Sequence, residues 1–363
     1  MGKQLARGTL IKGKEMSTTT KTRNSNIELL RIISMLLVLG LHVNYLALGK
    51  VTIAGTASEP LLSLVRMEFE SLCIVCVNLY VLISGYFGIR IKKKSLLGLL
   101  FTILFWQISL YTAGIIDGRY TLDFNLLQKM IIPGGIYWFV PAYLMLVLLS
   151  PMLNAYIEKT SKKNMGRFII CFLAVQTIFG YVQPYWNMFI NGYSAISFIG
   201  LYLIGNYIRK YSGEMFRRGA KSYVAVYVLT MTIAAVAAFL TYRYADSQYI
   251  LPHVNNWFLI SYISPFAIIG AVSLFVAFTR TGIKNNVWIN RIAASAFPVY
   301  LIHIHPVVVI YFLRYARYIY NSFDGILYIV AIIAYIVGVY LLCTLLDQIR
   351  ILAWKWCCKL FRI

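Results

Sequence analysis

Arg31 and His42 stand eleven residues apart inside the apolar run Ile27–Val43. At about 100° per residue, eleven steps complete about three helical turns, so one face carries both side chains. At about 1.5 Å of rise per residue, about 16 Å separate them along the axis. A guanidinium and a titratable imidazole on one stripe of a hydrophobic helix are costly unless they face a polar cavity. The spacing therefore points to a site reached from two depths of a bilayer. The bland alternative has Arg31 snorkelling to the interface and His42 hydrogen-bonding a neighbouring helix. Glu28, three residues before Arg31, either orients the guanidinium or marks an ordinary charged helix start.

The remaining histidines are His253, His303 and His305. On a regular helix His303 and His305 point about 160° apart, so they act together only if the helix breaks. Pro298 and Pro306 flank them, and Pro306 frees the carbonyl of Ile302, which favours such a break. His303 is the second candidate for the site and His305 a packing or interface residue; His253, beside Pro252, belongs to an exposed loop. Tyr137, Trp138 and Tyr143 line a substrate path or form an interfacial aromatic belt. Asn78, Ser84 and Asn154 read first as interhelical hydrogen-bonding groups. Cys73 and Cys76 lack a second pair to complete a zinc site, so no metal is expected.

A membrane must position these residues. The chain is 60% hydrophobic and 13% charged, with a mean hydropathy of +0.72, far from a soluble protein's balance. Runs of about 20 apolar residues recur throughout, and ten spans are predicted over 27–48, 71–89, 95–116, 136–157, 168–182, 193–208, 223–242, 257–279, 293–313 and 326–346. The net charge of +22 is not spread evenly. With the N-terminus inside, 26 of the 34 Lys and Arg fall on inside segments and seven outside. That split fits the positive-inside rule with both termini cytoplasmic, and it makes lipid headgroups rather than nucleic acid the partner of the basic loops. The expected fold class is an all-α polytopic bundle. Residues 1–26 read as a basic disordered tail, with Met16 an alternative start, 27–346 as one membrane domain and 347–363 as a basic cytoplasmic segment.

Soluble catalytic signatures are missing: no Gly-x-Ser-x-Gly elbow, no P-loop, no dinucleotide fingerprint. No Asp or Glu falls near the middle of a predicted span, which disfavours an ion-coupled transporter.

Four segments together resemble acyltransferase family 3, the bacterial membrane proteins that O-acylate glycans. Arg31 and His42 match the family's first-helix pattern of Arg, ten residues, then His. Val77-Asn-Leu-Tyr-Val-Leu-Ile-Ser-Gly-Tyr-Phe87 is similar to its second-helix signature. Tyr137-Trp-Phe-Val-Pro-Ala-Tyr143, with Leu149-Ser-Pro-Met-Leu-Asn154 beyond it, resembles the Trp-Phe and Ser-Pro pattern. Val299-Tyr-Leu-Ile-His-Ile-His-Pro306 looks like its Tyr-Leu-Ile-His motif. Where the family often carries an Arg pair, this chain has Arg90 followed by Lys92, Lys93 and Lys94, which attract phosphate without a bidentate fork.

The resemblance implies an acyl-CoA donor, with acetyl-CoA expected, gathered by the basic inner rim including Arg90 and Lys92 and engaged by Arg31. His42 would take the proton of an acceptor hydroxyl as its oxygen attacks the thioester, directly or through an acetyl-histidine. Glu28, His303, Tyr137 and Trp138 would shape the substrate site. The function expected is O-acetylation of an envelope or exported glycan, free or lipid-linked, in the bacterial cytoplasmic membrane. A transporter or flippase for a lipid-linked saccharide, and a structural subunit of a glycan-assembly complex, are the competing readings.

Overall fold

The structure, a computed structural model, describes residues 24–181, 189–244 and 259–362. The tail up to residue 23, His253 and Gln248 lie outside them. Among the described residues every regular element is a helix.

α1 (Ser25–His42) opens on Asn24, whose side chain accepts the Asn26 N–H at 3.1 Å, and bears Glu28 in its first turn, where a negative charge suits the helix dipole. It widens after His42 into one π-helical turn, Val43–Ala47, a departure that concentrates at functional sites. A short α2 (Ile53–Ser58) leads to α3 (Pro60–Ile74) and α4 (Cys76–Phe87), which are interrupted only at Val75. Then come α5 (Lys93–Ile116), α6 (Phe124–Ile131), α7 (Phe139–Lys159), α8 (Lys162–Tyr181), α9 (Ala195–Met215), α10 (Ala220–Arg243) and α11 (Pro265–Thr279). The chain closes with α12 (Val287–Ala293), α13 (Ala296–His303), α14 (Pro306–Ser322) and α15 (Gly325–Leu360).

Within the described residues each of the ten predicted spans falls on one of these helices or helix pairs, but six helices there are long and apolar enough to cross a membrane, or seven if the bent pair Val287–His303 and Pro306–Ser322 is one span. The six are Ser25–Ala47, Pro60–Phe87, Lys93–Ile116, Phe139–Lys159, Ala220–Arg243 and Gly325–Leu360. α8 starts with Lys-Lys-Asn-Met-Gly-Arg and α9 carries Asn206, Arg209 and Lys210, which dilute their hydropathy. α11 has 15 residues. The predicted span 293–313 is broken: the axis bends by 91° between His303 and Pro306, because proline cannot continue the hydrogen-bond ladder of α13. The segment expected to begin at 347 is the continuation of α15, helical to Leu360.

α1 sits at the centre, packed against α3, α4, α11, α12, α13 and α15. α4 and α9 approach backbone to backbone. A Cβ on Gly85 would lie 2.1 Å from the Tyr202 carbonyl oxygen, and one on Gly205 would lie 2.3 Å from that of Leu82, the small-residue contact that close membrane helices need. Pro151 sits inside α7 without breaking it. The Val147 carbonyl, which loses its partner to the proline, instead accepts the Ser150 hydroxyl at 2.7 Å. The rim of the bundle is apolar and uncovered, as at Leu229, Ile326 and Leu345, as expected of side chains that face hydrocarbon.

Candidate active site

Arg31 and His42 line the same cavity, of about 330 Å³, as their shared helix face requires. Its walls are mostly apolar, formed by α1, α4, α7 and the α12–α13 region, with Met35, Val38, Ile83, Phe139 and Phe297 among them. A second cavity, of about 370 Å³, lies on the other side of His42 and is richer in polar groups: Tyr45, Lys50, Glu70, Asn191, Tyr193 and Ser261. His42, Trp138 and Tyr262 line both cavities. These three side chains form the waist between a space opening toward Arg31 and one opening toward Lys50.

The break between α13 and α14 sends the two neighbouring histidines to different tasks. His303 ends α13, is 1% exposed, and turns toward α1, where its Nε2 lies 2.8 Å from His42 Nδ1. Its own Nδ1 lies 2.7 Å from the Val299 carbonyl oxygen. That oxygen can only accept, so His303 Nδ1 bears the hydrogen and, in the neutral ring, Nε2 bears a lone pair. His42 Nδ1 must then be the donor of the histidine pair, which leaves His42 Nε2 unprotonated. The hydrogen-bond network thus assigns His42 the tautomer of a general base. His305 caps α14 instead, its Nδ1 accepting the Val307 N–H at 3.2 Å, and its ring packs edge-on against Tyr111.

At the other end, Arg31 pairs with Glu28 at 3.3 Å and lies 6.0 Å from the centre of the Phe87 ring. Tyr80 donates to the Arg31 carbonyl at 2.9 Å, tying α4 to the first turns of α1. Ser84 is 3.2 Å from the Tyr143 hydroxyl and lines the Arg31 cavity, whereas Asn78 donates to the Tyr262 carbonyl at 2.9 Å and Asn154 to that of Ile89 at 2.8 Å. Asn78 and Asn154 therefore bind one part of the chain to another, as expected from their sequence.

Not every expected site residue reaches the cavities. Trp138 does. Tyr137 lines neither; it is buried, and its hydroxyl donates to the Leu301 carbonyl at 2.7 Å, fixing α13 from the start of α7. Arg90 and Lys92 are exposed beyond α4 and also line neither cavity.

The sequence reading missed two buried carboxylates: against the expectation that no Asp or Glu falls near the middle of a span, Glu70 lies inside Pro60–Phe87 and Asp347 inside Gly325–Leu360. Glu70, 3% exposed in α3, accepts from Asn44 Nδ2 at 2.7 Å. Asn44 belongs to the π turn after His42; its Oδ1 accepts from Arg66 Nε at 3.2 Å, while Arg66 also donates to the carbonyls of Asn44 and Gly49. The i, i+4 spacing of Arg66 and Glu70 is the signal that could have revealed this group. Asp347, fully buried in α15, accepts from Arg350 at 2.6 and 2.7 Å, Trp106 at 3.0 Å and Ser295 at 2.8 Å. It joins α5, α15 and the start of α13, the helix that ends in His303. Among the described residues no group of three His, Cys, Asp or Glu could hold a metal ion.

A central imidazole with a free nitrogen between two cavities, and a cation at the far end of one of them, can accept a proton from a nucleophile while an anionic co-substrate is held nearby. A family model described as an acyltransferase domain matches residues 24–348. No curated protein and no solved structure matches the chain. The family match runs from the cap of α1 into α15 and so takes in both cavities, the His42–His303 pair and Arg31, and the chain belongs to acyltransferase family 3.

Proposed function

We propose that this membrane acyltransferase moves an acetyl group from cytoplasmic acetyl-CoA to a hydroxyl of an envelope or exported glycan. The observation that carries the reading is the oriented His42, whose free Nε2 stands where a cavity ending in Arg31 meets a second, more polar one. The donor occupies the Arg31 cavity, its phosphates drawn by the basic rim that includes Arg90 and Lys92 and its polar arm engaged by Arg31, which Glu28 orients. The thioester carbonyl lies at the waist beside Trp138. The acceptor hydroxyl comes from the other cavity and attacks that carbonyl carbon, and its proton passes to His42 Nε2. The resulting imidazolium is stabilised by the lone pair of His303 across the Nδ1 hydrogen bond. The carbon–sulfur bond breaks and the departing thiolate takes the proton back, regenerating neutral His42. No step requires a metal.

The two-sided reading follows from where helix ends meet. Ser25 and Asn26 bond to Asn290 and Thr281, all on segments assigned inside, and Arg209 and Lys210, also assigned inside, bond to Phe87 and Ile157 at the inner ends of their spans. Arg66 bonds to Gly49, both on segments assigned outside, while Arg317 and Arg119, also assigned outside, bond to Ala47 at the outer end of the first span and to Val307 within the ninth. This sorting supports a reading with ten passes and both termini cytoplasmic, which we place in a bacterial cytoplasmic membrane on the family resemblance. Mass spectrometry of envelope glycans from cells with and without the gene tests the function. Loss of an acetyl-ester mass on deletion is the expected result; unchanged glycan esters would refute it.

A further inference from the structure

We propose that Glu70 is the acceptor-reading residue, and that the cavity it lines takes a hydroxyl-rich sugar ring. The inference rests on the acyltransferase reading above and deepens it. Burying a carboxylate is expensive unless its oxygens are engaged. Glu70 is almost completely buried, yet among the described residues only Oε2 has a hydrogen-bond partner, the Asn44 amide. The nearest cations do not close off the other oxygen. Arg66 is committed to Asn44 and Gly49, and its charge, with that of Lys50, reaches Glu70 through space. One carboxylate oxygen is thus left as a strong acceptor in the wall of the same cavity as His42.

The remaining walls fit a sugar. Tyr45, Trp138, Tyr193 and Tyr262 offer flat apolar faces, with Trp138 and Tyr193 ring centroids 4.3 Å apart and Trp138 and Tyr262 5.7 Å apart. The volume, about 370 Å³, lies within the range of pockets for small ligands. The free Glu70 oxygen at this position accepts from ring hydroxyls, and Lys50 stands in the same wall as a donor-bearing cation. Asn44 stands two residues after His42 on the π turn. Its bond to Glu70 therefore sets the distance between the hydroxyl that is held and the hydroxyl that is deprotonated.

The test uses membranes containing the full chain, labelled acetyl-CoA, and alkali-deacylated envelope glycan from gene-deleted cells as the acceptor probe. Glu70→Gln keeps the shape and the Asn44 contact but removes the charge. It should raise the acceptor KM about 10-fold or more and leave the donor KM as it is. Glu70→Asp, which keeps the charge on a shorter arm, should fall between the two. An acceptor KM for Glu70→Gln within twofold of the parent, or equal rises in donor and acceptor KM, would overturn the assignment while leaving the acyltransferase reading intact. If the parent protein itself transfers nothing to the probe, both the reading and this inference fall.

Discussion

Replacing His303 with Phe keeps a flat ring between Phe312 and Tyr300, whose centroids lie 5.3 and 6.2 Å from that of His303, and removes both ring nitrogens. His42 Nδ1 then loses its acceptor at 2.8 Å. The ring has two choices. It can keep the Nδ1 hydrogen unpaired in a buried place, at a cost of about 1–3 kcal/mol, or it can move the hydrogen to Nε2, where it occupies the lone pair that acts as base. With tenfold for each 1.36 kcal/mol, that bias lowers the population of the reactive tautomer, and with it kcat, about 5- to 150-fold. His303→Gln, whose amide oxygen can still accept, should recover part of the loss. His42→Ala removes the base and should cost about 10²–10⁴. Because His303 acts only through His42, the double variant His42→Ala/His303→Phe should be no slower than His42→Ala alone. The assay is transfer of labelled acetyl to deacylated glycan in membranes at matched protein levels, with thermal unfolding in detergent as a control for folding. Parent-like kcat in His303→Phe, or multiplicative losses in the double variant, would refute the assigned tautomer.

Three further outcomes follow. Arg31→Ala should raise the donor KM with little change for the acceptor, and Arg31→Lys, which keeps the charge but loses the fork, should restore only part of the affinity; an unmoved donor KM in both would make Arg31 a snorkelling interface residue. Asp347→Ala strands the Arg350 cation in the protein interior and should destabilise the fold by about 3–5 kcal/mol, read as an earlier thermal transition in detergent; an unaltered transition would contradict the packing of α5, α13 and α15 around that carboxylate. Cysteines placed at Lys92 and Asp123 should be labelled by a membrane-impermeant reagent from the inside and the outside respectively, and external labelling at Lys92 would invert the topology.

The central pair of residues was legible because a helix repeats nearly exactly in three turns: eleven residues must place Arg31 and His42 on one face whatever packs around them. The break at Pro306 was legible too, since a missing N–H is a local property. The role of His303 was only half visible, because its partner lies 261 residues away in the chain. For Tyr137, read as lining a substrate path or forming an aromatic belt, nothing local signals its bond to the Leu301 carbonyl, 164 residues off. The two carboxylates were missed for a different reason. The predicted spans began at 71 and ended at 346, each one residue short of the acid it excluded, because a charge beside an apolar run reads as the water boundary. In the folded bundle neither acid stands at the outer surface: Glu70 is nearly buried beside α1 and its π turn, in the wall of a cavity, and Asp347 is enclosed by α5 and α13. Such shelter is set by tertiary packing. The same limit explains the ten predicted spans against six freely apolar ones: hydropathy alone cannot tell which shorter or more polar helices the bundle covers.

Transfer of labelled acetyl from acetyl-CoA to deacylated envelope glycan, in membranes carrying either the parent chain or His42→Ala, tests the central claim most directly. The account predicts a fall of about 100-fold or more with membrane insertion, protein level and thermal transition unchanged, because shortening one side chain at the waist leaves the surrounding helices packed as before. Full transfer by His42→Ala would contradict the claim.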